Sequence, residues 1–383
     1  MVLDYMKANN IPGATVAITK GGRLVLSKGY GYAHTTSKLP MQATHRTFIE
    51  SVSKLLTTAA VMKLHENPNN GFSVERKLYG AGGLFQAGEY AGAIAKAVQT
   101  KLPPPGSSRG IQAQTWYFQT QIKHLLSHSS GWDGSWSGDD TAKYFKIDKD
   151  KVTPRLNHLA FISTHVPSTP PGARYNYLNR NVGMMDHVIE SCSGEKYADY
   201  VKQHILHPIG LTRVAAVGDP ATHVDAYKHV YAKDGKSYLP TLLVPGKGTG
   251  SAGGWRASAT DLARFMVATD RLSNHSDILS PATLDLMETP PFPKTVPTRA
   301  LGWGVLVKGS SSWLTHAGKL EGGTAYVGKG TPGYIAGDGS DLSHVSVAIC
   351  VNIRNSSGQA ALVVELARLA GKATIPSGYD LFN

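Results

Sequence analysis

Ser51 and Lys54, three residues apart, have the types and spacing needed for nucleophilic catalysis. A serine hydroxyl is a weak nucleophile near neutral pH and needs a base within hydrogen-bond reach. On a helix, positions i and i+3 share a face, so the two side chains would point the same way. Lys54 can accept the serine proton if burial or nearby positive charge leaves part of it unprotonated. The run that follows, from Leu55 to Leu64, is apolar almost all round and predicts such burial on a central helix beginning at Ser51. A serine at that helix start also puts its own backbone N–H among the unpaired donors of the first turn, where it can stabilise an oxyanion. The same spacing recurs in Ser193-Gly194-Glu195-Lys196, read here as an N-cap leading into a helix at Tyr197-Ala198-Asp199-Tyr200-Val201. His124 and His128 stand four apart, as metal ligands can, but the glutamate of H-E-x-x-H and a third ligand are missing, so no metal is expected. Gly246-Lys247-Gly248-Thr249-Gly250 fails the phosphate-loop spacing and reads as a flexible loop before a strand.

The elements that must position these groups follow from the patterning. Residues 14–18 and 23–30, largely β-branched and apolar, flank Gly21-Gly22 and predict a hairpin after a short first helix. Between about 67 and 220 helical segments alternate with joints such as Pro103-Pro104-Pro105-Gly106 and Pro170-Pro171-Gly172. Beyond about 245, Ser258-Ala259-Thr260-Asp261 forms a capping box, strand-like runs follow at 302–308, 323–328 and 344–351, and 358–370 reads as a terminal amphipathic helix. Strands at both ends with helices between predict a discontinuous α/β domain, 1–66 with 221–383, and a mostly helical domain, 67–220. The pocket is expected at their junction.

Composition narrows the partners. The chain of 383 residues carries a formal charge of +12, but its 39 Lys and Arg are scattered with no basic stripe, which argues against nucleic-acid binding. No apolar run reaches the roughly twenty residues of a membrane helix, so no integral membrane contact is expected. Cys192 and Cys350 make neither a disulfide framework nor a metal motif. The first residues show no signal peptide, which fits a cytoplasmic protein, or a secreted or periplasmic one whose leader has been removed. Oligomeric state is left open.

Three segments together resemble the serine β-lactamase and penicillin-binding-protein superfamily, in the class C-like branch that includes esterases and D-amino-acid peptidases. Ser51-Val52-Ser53-Lys54 looks like its S-x-x-K motif, Tyr177-Leu178-Asn179 like Y-x-N, and His316-Ala317-Gly318 stands where the family carries K-T-G or, in many esterases, H-x-G. Segments such as His124-Leu125-Leu126-Ser127-His128-Ser129-Ser130-Gly131 and Leu301-Gly302-Trp303-Gly304 extend the likeness along nearly the whole chain. The resemblance implies an antiparallel sheet flanked by helices with an inserted all-helical domain. It implies an acyl-enzyme on Ser51, with Lys54 and Tyr177 handling its proton and Asn179 orienting the substrate or Lys54. His316 and Gly318 would border the substrate, and the backbone N–H groups of Ser51 and Lys319 would form the oxyanion hole. No cofactor is implied. By themselves, Tyr177 reads as a buried phenol tying a loop to the core, and Asn179 as a turn or cap residue. His316 in place of lysine, and Ala317 in place of threonine, weaken an anion anchor and favour uncharged acyl groups. The expectation is a carboxylesterase acting on short-chain esters. The alternatives are a D-aminopeptidase, amidase or β-lactamase, an acyltransferase, or a non-catalytic scaffold of the same fold.

Overall fold

The backbone angles φ of Gly21 and Gly22, 58° and 74°, belong to a two-residue hairpin turn that glycine adopts without steric cost. A computed structural model of the chain describes residues 1–35, 37–86, 90–92, 94, 108–134, 138–147, 155–216, 230–231, 237–238, 250–320, 323–354 and 357–382. The proline run at 103–105 and residues 246–249 of the glycine-rich loop lie outside the described residues. Helix α1 (Val2–Ala8) leads into the hairpin of β1 (Gly13–Lys20) and β2 (Arg23–His34), extended by β3 (Leu39–Pro40). Four more strands come from far along the chain: β4 (Gly304–Lys308), β5 (Ser311–Leu320), β6 (Gly323–Gly330) and β7 (Val345–Val351). They pair antiparallel in the order β3-β2-β1-β7-β6-β5-β4, and the β1–β7 ladder, Ala14↔Val351 to Lys20↔Val345, joins the two ends of the sequence.

Helices α2 (Ser53–Glu66), α3 (Ala259–Val267) and α4 (Gln359–Lys372) pack on this sheet or beside it. The two-residue period of a strand sorts the side chains between its faces. Ala14, Val16 and Ile18, with Val345, Val347, Ile349 and Val351, join α1 and α4 in one core. Ala17, Ala348 and Cys350 face the larger core that contains α2 and α3. The capping box is present: Asp261 N–H donates to Ser258 Oγ at 3.1 Å, and Ser258 N–H donates to Asp261 Oδ2 at 2.9 Å. In α2 every residue from Ser53 to Met62 is buried. Among the described residues no helix is long and apolar enough to cross a membrane.

Two local expectations are corrected. The central helix begins at Ser53, and Ser51 sits in a preceding 3-10 turn, Glu50–Val52, entered through Glu50 at φ 50°. Ser193 does not open the helix Tyr197–Val201. It ends the helix Met185–Ser193, whose chain then turns through Gly194 in the left-handed region, while Lys196 holds the N-cap position. Its hydroxyl donates back to Ile189 O at 2.7 Å, which a serine in the last turn does readily.

Candidate active site

The side chain of Lys54 is fully buried, and its Nζ meets three oxygens: Ser51 Oγ at 2.9 Å, Asn179 Oδ1 at 2.9 Å and Ala252 O at 2.6 Å. The two carbonyl oxygens can only accept, whereas the serine hydroxyl can donate. A neutral amine has two N–H donors and one lone pair, so this arrangement satisfies it with the lone pair turned to the Ser51 hydroxyl. Burial pushes the Lys54 ammonium down to about 7, against an opposing pull from Glu50.

Each partner of Lys54 is itself held. Ser53 Oγ accepts from Trp255 N–H at 3.1 Å, and the Thr57 hydroxyl donates to Ser251 O at 2.6 Å. The polar side of α2 thereby fixes the segment that carries the Ala252 carbonyl. Asn179 opens the short helix Asn179–Gly183, which Ser130 ties down by donating to Asn181 Oδ1 at 3.0 Å. Tyr177 is bracketed by His128: Asn176 N–H donates to His128 O at 2.8 Å, Leu178 N–H donates to His128 Nδ1 at 3.3 Å, and the two rings lie 4.2 Å apart. Since Nδ1 accepts, the proton of the neutral His128 ring is on Nε2, and burial holds this ring well below the usual histidine range. His124 likewise accepts from Gln121 N–H at 2.9 Å and stacks on Phe292, so each histidine has its own structural partner.

The Tyr177 hydroxyl is near enough to Ser51 for the serine to oppose the rise in its pKa, and the Tyr177 ring lies under the Lys54 ammonium at 5.1 Å. Although 39 % of Tyr177 is exposed, burial of its hydroxyl end lifts it to about 12. At neutral pH it is therefore a proton donor and not a phenolate.

The fourth component is β5. Its pairing with β4 stops at Thr315↔Gly304, but the strand continues to Leu320, so His316 to Leu320 present an edge that β4 leaves uncovered. That edge lies against the Ser51 turn. A β-carbon on Gly318 would fall 2.2 Å from Ile49 O and 2.9 Å from Ser51 N, so only glycine permits this approach. His316 is buried, donates from Nδ1 to Gly302 O at 2.6 Å, and is driven down to about 3 chiefly by burial. It is neutral across the physiological range. Lys319, next along, is exposed.

Tyr177 and His316 line a cavity of about 290 Å³ together with His128, Tyr175, Arg299 and Tyr326. Arg299 stacks its guanidinium 4.2 Å over the Tyr175 ring, making it a cation in the same space as the neutral His316. The fold thus brings Ser51, Lys54, Tyr177, Asn179, His316 and Gly318 to one place, with Lys319 at its edge. Sequence reasoning missed Glu50, the Ala252 carbonyl, His128 as a brace and Arg299. For Ala252, the surrounding Gly250-Ser251-Ala252-Gly253-Gly254 run was the one available signal.

The family model described as Beta-lactamase matches residues 1–370. Among curated proteins, Protein flp of Staphylococcus aureus (strain MW2) is 24% identical over 208 residues, covering 53% of this chain and 34% of that protein. The chain spans about a third to a half of the length of the curated relatives it matches. Among solved structures, the octameric penicillin-binding protein homologue from Pyrococcus abyssi superposes with a TM-score of 0.70 at 23% identity, covering 97% of this chain and 76% of that one. D-alanine carboxypeptidase AmpC from Burkholderia cenocepacia gives 0.66 at 18% identity, with 97% of both chains covered.

Proposed function

The chain belongs to the beta-lactamase family of serine hydrolases, and from that premise we propose that it is a carboxylesterase acting on short-chain esters through an acyl-enzyme on Ser51. The observation that carries this reading is the fully buried Lys54 amine 2.9 Å from Ser51 Oγ, with its other two contacts taken by carbonyl acceptors. Ser51 Oγ attacks the ester carbonyl while its proton passes to Lys54 Nζ. The oxyanion forms against the backbone N–H groups of Ser51 and Lys319. The C–O bond to the alcohol then breaks, and the leaving alkoxide takes a proton from Tyr177, which is resupplied from Lys54. Water attacks the acyl-serine while passing one proton to Lys54 Nζ, the bond to Ser51 Oγ breaks, and Lys54 returns that proton to the serine oxygen, which releases the acid and free Ser51. Of the two candidate bases, Lys54 is the principal one, because Tyr177 holds its proton at neutral pH.

The preference for uncharged acyl groups is supported by His316, whose neutrality removes the positive charge that a lysine would supply there. Arg299 in the same cavity favours a second reading, an amidase or D-peptidase whose substrate carries a carboxylate. The likeness to a D-alanine carboxypeptidase points the same way. Hydrolysis of p-nitrophenyl acetate and butyrate, nitrocefin and a D-alanyl p-nitroanilide by the wild type, Ser51→Ala and Arg299→Gln separates them. Ester turnover lost in Ser51→Ala and retained in Arg299→Gln is the expected result. Faster D-alanyl or nitrocefin cleavage that falls in Arg299→Gln would replace the esterase with the second reading. No turnover and no acyl adduct by mass spectrometry would move the function to a scaffold.

A further inference from the structure

The stretch from Asp270 to Asp277 links α3 to the helix Pro281–Glu288 and folds back on the Gly21-Gly22 turn, where Asn274 Nδ2 donates to Gly21 O at 3.2 Å. It gathers Asp270, His275 and Asp277, each offering a ligand atom within 4.8 Å of the other two. The Asp270 side chain is only 4 % exposed, and its Oδ1 lies 3.3 Å from His275 Nε2. That contact is not a hydrogen bond: both ring nitrogens of His275, like Asp277 Oδ1, are buried with no hydrogen-bond partner among the described residues. An imidazole always carries at least one N–H, and stranding it beside an unpaired carboxylate oxygen is costly. Two cations of this region hold other carboxylates: Arg271 binds Asp285 at 2.8 Å and Glu288 at 2.7 Å, and Lys329 binds Glu288 at 2.7 Å. Asp270 Oδ1 and Asp277 Oδ2 instead accept backbone N–H groups, of Leu272 and Arg271, each at 2.9 Å. A buried set of two carboxylates and an imidazole in this condition calls for a cation.

We propose that Asp270 Oδ1, His275 Nε2 and Asp277 Oδ1 bind a divalent metal ion, zinc by preference, which staples this loop beside the Gly21-Gly22 turn. Two ligands about 2.0–2.1 Å from zinc, on two corners of a tetrahedron, stand about 3.3–3.4 Å apart. That is the separation of Asp270 Oδ1 and His275 Nε2. An imidazole nitrogen with two carboxylates suits zinc better than calcium or magnesium, which favour oxygen ligands alone. The ion takes the lone pair of Nε2 and the stranded Asp277 oxygen, while the backbone donors of Leu272 and Arg271 hold the two carboxylates in place. Gly22 leaves the room required. A β-carbon there would fall 2.8 Å from His275 Nε2 and 2.7 Å from the Asn274 amide, so glycine keeps open a space beside the nitrogen where water completes the tetrahedron. The three ligands share no residue with the cavity that Tyr177 and His316 line, so the ion is a structural clamp and not a part of the Ser51 chemistry.

The test is zinc uptake by the full chain after treatment with a chelator, read as stoichiometry by dialysis and metal analysis and as thermal stability. The expected result is about one ion per chain and a Tm raised by about 3 °C at free zinc a hundredfold above Kd. His275→Gln and Asp277→Asn should each weaken uptake about a hundredfold or more and abolish the response of Tm to zinc. Asn274→Ala alters the same loop but no ligand, and should retain uptake. A plain Asp270–His275 ion pair would leave the wild-type Tm indifferent to zinc, and that result overturns the proposal without any variant. Uptake that survives in both ligand variants would place the ion on other histidines and overturn it too. So would a loss in Asn274→Ala equal to theirs, since loop packing alone would then govern binding. Calcium or magnesium raising Tm as much as zinc would overturn the choice of ion. Should a ligand variant fold poorly, the zinc-dependent shift of the His275 Nε2 resonance in ¹⁵N NMR of the wild type reads coordination directly, and its absence counts against the site.

Discussion

Acidification should silence the enzyme through Lys54, and the size of the effect follows from the geometry. With its ordinary proton affinity, roughly one lysine in three thousand is a free base at pH 7. Burial, against the pull of Glu50, brings Lys54 to about 7, so about half the molecules hold the free amine at that pH, a gain of roughly three orders of magnitude. From pH 8 to pH 5 the free-base fraction falls about ninetyfold, and below pH 7 the slope approaches tenfold per unit. The assay is acylation of Ser51 by p-nitrophenyl acetate, followed as the burst of p-nitrophenol from pH 5 to 9, with Ser51→Ala subtracted for hydroxide attack. Lys54→Arg should flatten the profile and lower acylation about a thousandfold or more, because a guanidinium does not deprotonate in this range. An acid limb near pH 4–5 would assign the base to a carboxylate. One near pH 10 would mean that Lys54 is solvated, and either result refutes the argument from burial.

Gly318→Ala should force β5 away from the Ser51 turn, because the new β-carbon would lie 2.2 Å from Ile49 O. The expected losses are about 1–3 kcal/mol of stability by thermal or urea melting and at least tenfold in acylation rate. Ser258→Ala deletes the capping box of α3. It should cost about 1 kcal/mol in the same melts and leave the burst kinetics unaltered, since the cap touches no group of the site.

What the sequence made legible depended on the range over which each signal acts. The hairpin at Gly21-Gly22, the cap at Ser258 and the Ser51–Lys54 spacing are local patterns, and the structure contains all three. The start of α2 was misplaced by two residues because the 3-10 turn and the helix share the same three-residue recurrence. Strand β5 escaped notice: Ser311-Ser312, His316 and Gly318 break the apolar alternation, and one of those departures, Gly318, lets the strand lie against the Ser51 turn. The gathering of Tyr177, Asn179 and His316 around Ser51 was legible only through resemblance, since nothing in their own neighbourhoods distinguishes them from a packed phenol, a cap and a buried imidazole. The Ala252 acceptor is a backbone carbonyl, and no residue type announces which carbonyl will face an amine. Glu50 and Arg299 have no local signal, because only the fold closes over one and turns the other into the cavity.

The distance along the chain between the parts of this site has a consequence in time. Lys54 gains its two carbonyl partners only when Asn179 and Ala252 have arrived, and the Ser51 turn gains its neighbouring strand only when Gly318 has. At about 5–20 residues per second, the stretch from Lys54 to Gly318 takes on the order of fifteen seconds to a minute to synthesise. Throughout that interval the lysine of the nascent chain is an ordinary solvated ammonium and Ser51 an ordinary alcohol. Reactivity is therefore born late and in one step, so acquisition of Ser51 acylation can serve as a clock for completed folding, and a ribosome-stalled chain ending before β5 should carry the whole S-x-x-K motif yet remain inert.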